Sequence, residues 1–309
     1  MIAIPLRPRS VVPALFLCLL IVAVAGRACA EPVFAFATTP GKLPKTVVPV
    51  HYSLDLKPDL DKLGFTGAEV VDIDVAEPTG RLVLNAVDLA IEKAAIDGDA
   101  VPAAALTLDA AAETLTLVLP HPIGAGRHQL SITYTGRINR FGRGLYMVDY
   151  PTASGRKRMI SSLLEPADAR RIFPSWDEPA FKASISLAVT VAQEFLAVSN
   201  MPVAHEESVD LATKRVTFQT TPRMSSYLFV LAAGELERIT ANVGGVAVGV
   251  VASRGKADQG RYALDSAVDL LRYYNDYFGS AYPLPKLDLI AVPGGFGGAM
   301  ENWGGITFF

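Results

Sequence analysis

Residues Gly294 to Gly304 hold one carboxylate, Glu301, behind a run of glycines (Gly294, Gly295, Gly297 and Gly298) and ahead of Asn302-Trp303-Gly304. A carboxylate in such a setting can grip an ammonium through charge-assisted hydrogen bonds, which run at about 2.7–2.9 Å. The glycines remove side chains from the backbone beside it. An extended chain can then lie against that backbone and pair with its N–H and C=O groups. A bland reading stands beside this one, since glycine-rich turns are common on protein surfaces.

A second segment, Ser161 to Pro179, is dense in charge, proline and aromatics, and no simple strand or helix period covers it. It is expected to be a loop held by specific contacts. Within it Asp168, Arg170, Arg171, Asp177 and Glu178 are read as structural, because guanidinium forks and carboxylates at such corners satisfy one another and nearby carbonyls. The four histidines, His51, His121, His128 and His205, fall in strand or turn settings. None belongs to a His-Glu-x-x-His pair, the helical spacing that would set two imidazoles on one zinc. No catalytic residue and no metal ligand is therefore assigned in this chain.

Gly298-Ala299-Met300-Glu301-Asn302 resembles the GAMEN signature of the zinc aminopeptidases related to aminopeptidase N. The segment around Glu165 resembles the part of that family that reaches from an N-terminal β-domain into the active site. Gly144-Leu145-Tyr146 and Met224-Ser225-Ser226-Tyr227-Leu228 follow the family in the right order. The resemblance runs from about Val50 to Phe309. It implies that Glu165 and Glu301 both bind the amine of a peptide substrate, and that Gly298, Ala299 and Met300 bind its backbone. The two acids should then converge on one ammonium, whereas in the structural alternative each pairs with an arginine such as Arg170 or Arg171. The resemblance also implies a cis Glu165–Pro166 bond. Many relatives carry glutamine where this chain has Leu163, and the residue matching Gly297 helps line the pocket for the substrate's first side chain, so Leu163 and Gly297 are expected to shape that pocket.

The implied cofactor is zinc, with its ligands, the general base and an oxyanion-stabilising tyrosine lying beyond residue 309. The implied partners are peptides with a free N-terminus. The chain by itself is then expected to be inactive, an N-terminal portion that carries the amine anchor without the metal site. A non-catalytic binding or scaffold remnant of the same superfamily is the alternative. Epoxide hydrolysis is a weaker one, disfavoured by Ala299 in place of a second glycine.

The elements that must position these residues are legible in part. From Val50 the pattern has period two: Tyr52/Leu54/Leu56, Val71/Ile73/Val75, Leu115/Leu117/Leu119, Leu130/Ile132/Tyr134, Ile185/Leu187/Val189/Val191 and Val216/Phe218. Turn residues punctuate it, and many short strands with one polar face argue for an antiparallel sandwich or saddle up to about Leu236. Then Val246–Val251 reads as a strand and Gln259–Phe278 as a helix, with Leu264, Val268, Leu271, Tyr274 and Phe278 at three- and four-residue steps. Tyr273, Tyr274 and Tyr277 are read as helix packing. Gly279 sits in the C-cap position with Pro283 beyond it. Leu287–Val292 and Ile306–Phe309 read as strands. The fold class is thus a mainly β N-terminal sandwich or saddle domain (residues 49–236), followed by the incomplete start of an α+β, thermolysin-like catalytic domain (237–309). Half of such a domain should leave apolar faces around Leu264, Leu271, Ile290 and Phe308 partly bare.

Residues 1–30 read as a secretory signal: Arg7 and Arg9, an apolar stretch Val11–Ala25, and the small-residue site Ala28-Cys29-Ala30. That stretch is short against the roughly 20 residues of a spanning helix, so no stable membrane insertion is expected after cleavage. Residues 31–48 read as a linker. Cleavage would remove both cysteines, Cys18 and Cys29, and take the formal net charge from −3 to −6 by removing Arg7, Arg9 and Arg27. The expected product is an exported, periplasmic or extracellular protein stabilised by packing. At 19% charged residues and a negative net charge, the chain has no basic patch to argue for nucleic acid.

Overall fold

The computed structural model describes residues 35–152, 155–294 and 297–309. The secretory-signal reading of residues 1–30 lies outside them. The chain forms two compact units, residues 1–40 and 41–309. Of the first, the described part contains a single 3-10 turn, Phe36–Thr38.

Strands dominate, as the period-two pattern requires. The largest sheet runs in the order Val203–Ser208, Thr213–Phe218, Lys182–Ala192, Val47–Asp59, Gly64–Val75, Gly126–Arg137, Leu89–Ile96 and Asp99–Val101, with Met224–Ser225 also paired to Lys182–Ala192. Its neighbours are antiparallel with one exception, a correction to the all-antiparallel expectation. Val47–Asp59 and Lys182–Ala192 pair in parallel, with Leu54 opposite Leu187. More than a hundred residues separate them, the long crossover that parallel pairing requires.

Thr79–Asn85, Thr114–Ile123 and Leu106–Asp109 form a three-stranded sheet. Leu196–Ser199, Leu231–Gly234, Gly155–Leu163 and Gly144–Thr152 form a four-stranded one. The Ser161–Pro179 segment is therefore not all loop, since Ser161–Leu163 complete the strand Gly155–Leu163.

A five-stranded sheet follows in the order Leu236–Val243, Val246–Ser253, Lys286–Ala291, Gly305–Phe308 and Ala299–Met300. Its second, third and fourth strands are parallel. The helix Arg261–Phe278 is the crossover between the first two of these, as a βαβ unit demands. It buries Leu264, Ala267 and Leu271 against Val243, Val246, Val248 and Val250. Gly279 ends it with φ 61°, and its N–H reaches the carbonyls of Asn275 and Asp276.

Two expectations need correcting here. Tyr273, Tyr274, Tyr277 and Phe278 do not pack into the core; they are 48–69% exposed. The helix is buried only as far as Leu271, and past it the aromatics contact one another instead. Conversely Leu264, Leu271 and Ile290 are buried within this unit, while Phe308 is 43% exposed. At the helix's end the bare apolar surface is therefore aromatic.

Candidate functional site

The four-stranded sheet and the five-stranded sheet share one core. Tyr146, Tyr150 and Met159 of the first pack with Val251, Ile290 and Val292 of the second, and Leu163 and Phe309 close onto the same cluster. Leu163 is the last residue of its strand, so the chain leaves this shared core at Leu164 and presents Glu165 to solvent. The Glu165–Pro166 bond is cis, as expected from the resemblance. The backbone then folds back, with Asp168 N–H donating to the Leu164 carbonyl at 2.8 Å.

Gly297 and Gly298 have φ of 69° and 109°, conformations that favour glycine, and both are exposed. They lead into Ala299–Met300, the edge strand of the five-stranded sheet, with Ala299 opposite Phe308 and Met300 opposite Thr307. Phe309 N–H donates to the Gly298 carbonyl at 3.1 Å. Alternation along the edge then sorts the side chains: Ala299 exposed, Met300 buried, Glu301 exposed, Asn302 buried. The free side of this edge is unpaired among the described strands.

Buried polar bonds fix the segment from behind. Asn302, 1% exposed, donates from Nδ2 to the Phe229 carbonyl (3.1 Å) and accepts from Thr307 Oγ1 (3.4 Å). Asn200, equally buried, donates to the carbonyls of Trp303 and Leu228 (both 2.8 Å) and accepts from Val230 N–H (3.0 Å). The Gly304 carbonyl accepts from Lys286 Nζ (2.6 Å) and Asp288 N–H (3.0 Å). Lys286 is itself paired with Asp288 (2.8 Å), which also holds Arg238 (2.8 Å). Burial pulls the Lys286 ammonium down from its ordinary range while Asp288 pulls the other way.

The loop beyond Glu165 is braced separately. Arg170 binds Asp177 (2.9 Å) and Glu113 (2.8 Å). Arg171 binds Asp168 (2.8 Å) and Asp88, and Arg143 also binds Asp168 (2.9 Å). Ser226 Oγ donates to Asp177, and the Lys42 and Leu43 N–H groups donate to Glu178. The arginines that could have neutralised the candidate acids are thus committed elsewhere. Among the described residues neither Glu165 nor Glu301 forms an ion pair.

Reasoning from sequence missed Asn200, Lys286, Asp288 and Arg238. A signal was present for two of them: Lys286 and Asp288 stand two apart in an apolar strand, which puts both charges on one face. The strand begins at Lys286, one residue before the Leu287 start that the apolar run alone suggests.

Zinc does not fit the described residues. His51 Nδ1 is hydrogen-bonded to Ser184 Oγ at 2.8 Å and His128 Nδ1 to Asp97 at 2.6 Å. Among the described residues no group of three or more His, Cys, Asp or Glu side chains is arranged to hold a metal.

Residues 48–228 match the Peptidase M1 N-terminal domain, and residues 262–309 match the Peptidase family M1 domain. The chain is 46% identical over 289 residues to an "Aminopeptidase N" of Acetobacter pasteurianus, covering 93% of this chain and 81% of that protein. It is 40% identical over 270 residues to "Aminopeptidase M1-C" of Oryza sativa subsp. japonica (86% and 30%). It is 37% identical over 287 residues to "Puromycin-sensitive aminopeptidase" of Caenorhabditis elegans (91% and 30%). The chain belongs to peptidase family M1. It spans under a third of the length of the rice and nematode proteins.

Proposed function

We propose that this chain carries the amine-gripping part of an exported zinc metalloaminopeptidase that removes N-terminal amino acids from peptides. Glu165 and Glu301 share the substrate's α-ammonium, and the edge strand from Gly298 to Met300 pairs with its backbone. Leu163 and Gly297 border the pocket for the first side chain. The observation that carries the reading is the exposed edge strand Ala299–Met300, unpaired on its free side and followed by a carboxylate that no arginine among the described residues pairs with. Supporting it, Leu163 and Phe309 enter one core cluster, and Phe309 N–H binds Gly298, so the Glu165 strand end and the edge strand are tied to a common frame.

Zinc belongs to the reading through the family. The described residues offer it no fitting donor set, so the part proposed for them is binding and orientation, and the chain alone is expected to be inactive. Export rests on the signal-like character of residues 1–30. Among the described residues no helix is long and apolar enough to cross a membrane.

The test is binding of leucine amide to the full 309-residue chain, followed by NMR, against its N-acetylated counterpart. The free amine should bind and the acetylated one should not. Glu165→Gln and Glu301→Gln should each weaken binding by about 10- to 100-fold, the worth of one charge-assisted hydrogen bond. Equal binding of the acetylated ligand, or insensitivity to both variants, defeats the anchor. Release of an amino acid from an aminoacyl dye by this chain with added zinc defeats the division of labour.

A further inference from the structure

The large sheet carries a carboxyl side chain, Glu69, at the centre of its buried face. Pairing registers align Leu187, Leu54, Glu69, Ile132 and Ala94 in a single row across five strands. The row on one side is Ile185, Tyr52, Val71, Leu130 and Ile96. On the other side lie Val189, Leu56, Gly67, Tyr134 and Ile91. Glu69 is 2% exposed, and neither of its carboxyl oxygens has a hydrogen-bond partner among the described residues. Tyr52 and Tyr134 stand at opposite diagonals to it, within reach of a long side chain. The Tyr134 hydroxyl is likewise buried without a partner, while Tyr52 Oη accepts from Trp176 N–H at 3.1 Å.

We propose that Glu69 is held as a neutral carboxylic acid in the folded protein, and that its proton couples the packing of this sheet to pH. An ionised carboxylate here would lack both a cation and a hydrogen-bond donor, whereas the neutral acid loses far less on leaving water. The titratable groups facing it are Tyr52 and Tyr134. At its row the Lys182–Ala192 and Leu89–Ile96 strands offer only Leu187 and Ala94. Two more acids act at one remove. Asp177, beside Tyr52, is neutralised by Arg170, and Asp55, beside Tyr134, by Arg215. Among the described residues no cation offsets the burial of Glu69, which drives its proton affinity well up from the ordinary carboxylate value.

The sign follows from proton counting. Between the unfolded pKa, about 4.3, and the raised folded value, the native state binds one proton more than the unfolded chain. The stability Glu69 contributes is complete below that window and falls as pH rises through it. The unfolding constant then climbs by up to about tenfold per pH unit on account of this one group.

Urea unfolding of the full chain and of Glu69→Gln, compared from roughly pH 6 to pH 8, reads that difference. The variant keeps shape and loses the proton, so its curve should flatten relative to the native one by up to about tenfold per unit. Parallel curves overturn the proposal. Should Glu69→Gln fail to fold, carboxyl 13C NMR of the native chain labelled at glutamate decides. Glu69 is the buried glutamate among the described residues, so one glutamate signal should stay at the protonated shift near pH 6. A full set of ionised glutamates overturns the proposal.

Discussion

Asn200 donates its side-chain amide to the carbonyl of Trp303 at 2.8 Å, across 103 positions of sequence. The same side chain binds Leu228 and Val230, on the approach to the four-stranded sheet. One buried asparagine therefore ties the glycine-rich segment to the β-rich region before it. Asn302 duplicates the tie at Phe229. Phe229 itself stacks edge-on against Phe173, and Phe173 against Tyr52 of the large sheet.

Asn200→Leu should destabilise the protein by about 2–4 kcal/mol. It leaves the Val230 N–H and two carbonyls buried without partners, at about 1–3 kcal/mol for each group that water cannot reach. Urea unfolding measures the loss. A change below about 0.5 kcal/mol, the range of an ordinary surface substitution, would mean the tie carries no weight.

Gly304→Ala should be at least as damaging, by about 3 kcal/mol. Gly304 has φ 71°, and an added Cβ would sit 2.1 Å from the Asn200 carbonyl oxygen. Left-handed backbone costs a non-glycine residue about 1–2 kcal/mol, and overpacking against backbone adds about 1–3. Amide exchange should quicken at Met300, Glu301 and Gly305 before it does in the large sheet, because the displaced contact is local to the segment.

Lys286→Met removes a buried ammonium that holds both Asp288 and the Gly304 carbonyl. The expected loss is about 3 kcal/mol, from leaving Asp288 with Arg238 alone in a buried setting. Full stability in the variant would show that the Arg238–Asp288 pair suffices.

Glu165→Gln and Glu301→Gln should leave folding stability within about 0.5 kcal/mol of the native chain, since both acids are exposed and form no ion pair among the described residues. This separates an anchor from a brace. Losses above about 1 kcal/mol in thermal or urea unfolding would assign them to structure.

Replacing Tyr273, Tyr277 and Phe278 together by serine should raise solubility and lower self-association, read by light scattering. These side chains are 57–69% exposed and stack on one another, an apolar patch of the sort that drives association. Global stability should fall by about 1 kcal/mol at most, because Leu264, Ala267 and Leu271 do the packing. Unchanged association would place the sticky surface elsewhere.

The sequence by itself determined the elements and the parity of their faces. Alternation from Tyr52 to Phe218 specified strands because a side-chain period of two leaves each strand one buried face. The same parity sets Glu69 on the side of Val71 and Ile73, and all three are buried. The helix from Arg261 to Phe278 and its Gly279 stop were legible because amphipathic period and left-handed capping are local properties. Tertiary structure alone decided what pairs with what. The parallel match of Val47–Asp59 with Lys182–Ala192 depends on a crossover no local pattern records. The aromatic end of the helix looks apolar in sequence, yet its burial depends on whether another element lies opposite. Asn200 is an unremarked asparagine until folding sets the Trp303 carbonyl before it. Burial and hydrogen-bond partnership are relations between distant segments, and a linear pattern of residue types encodes only one side of each.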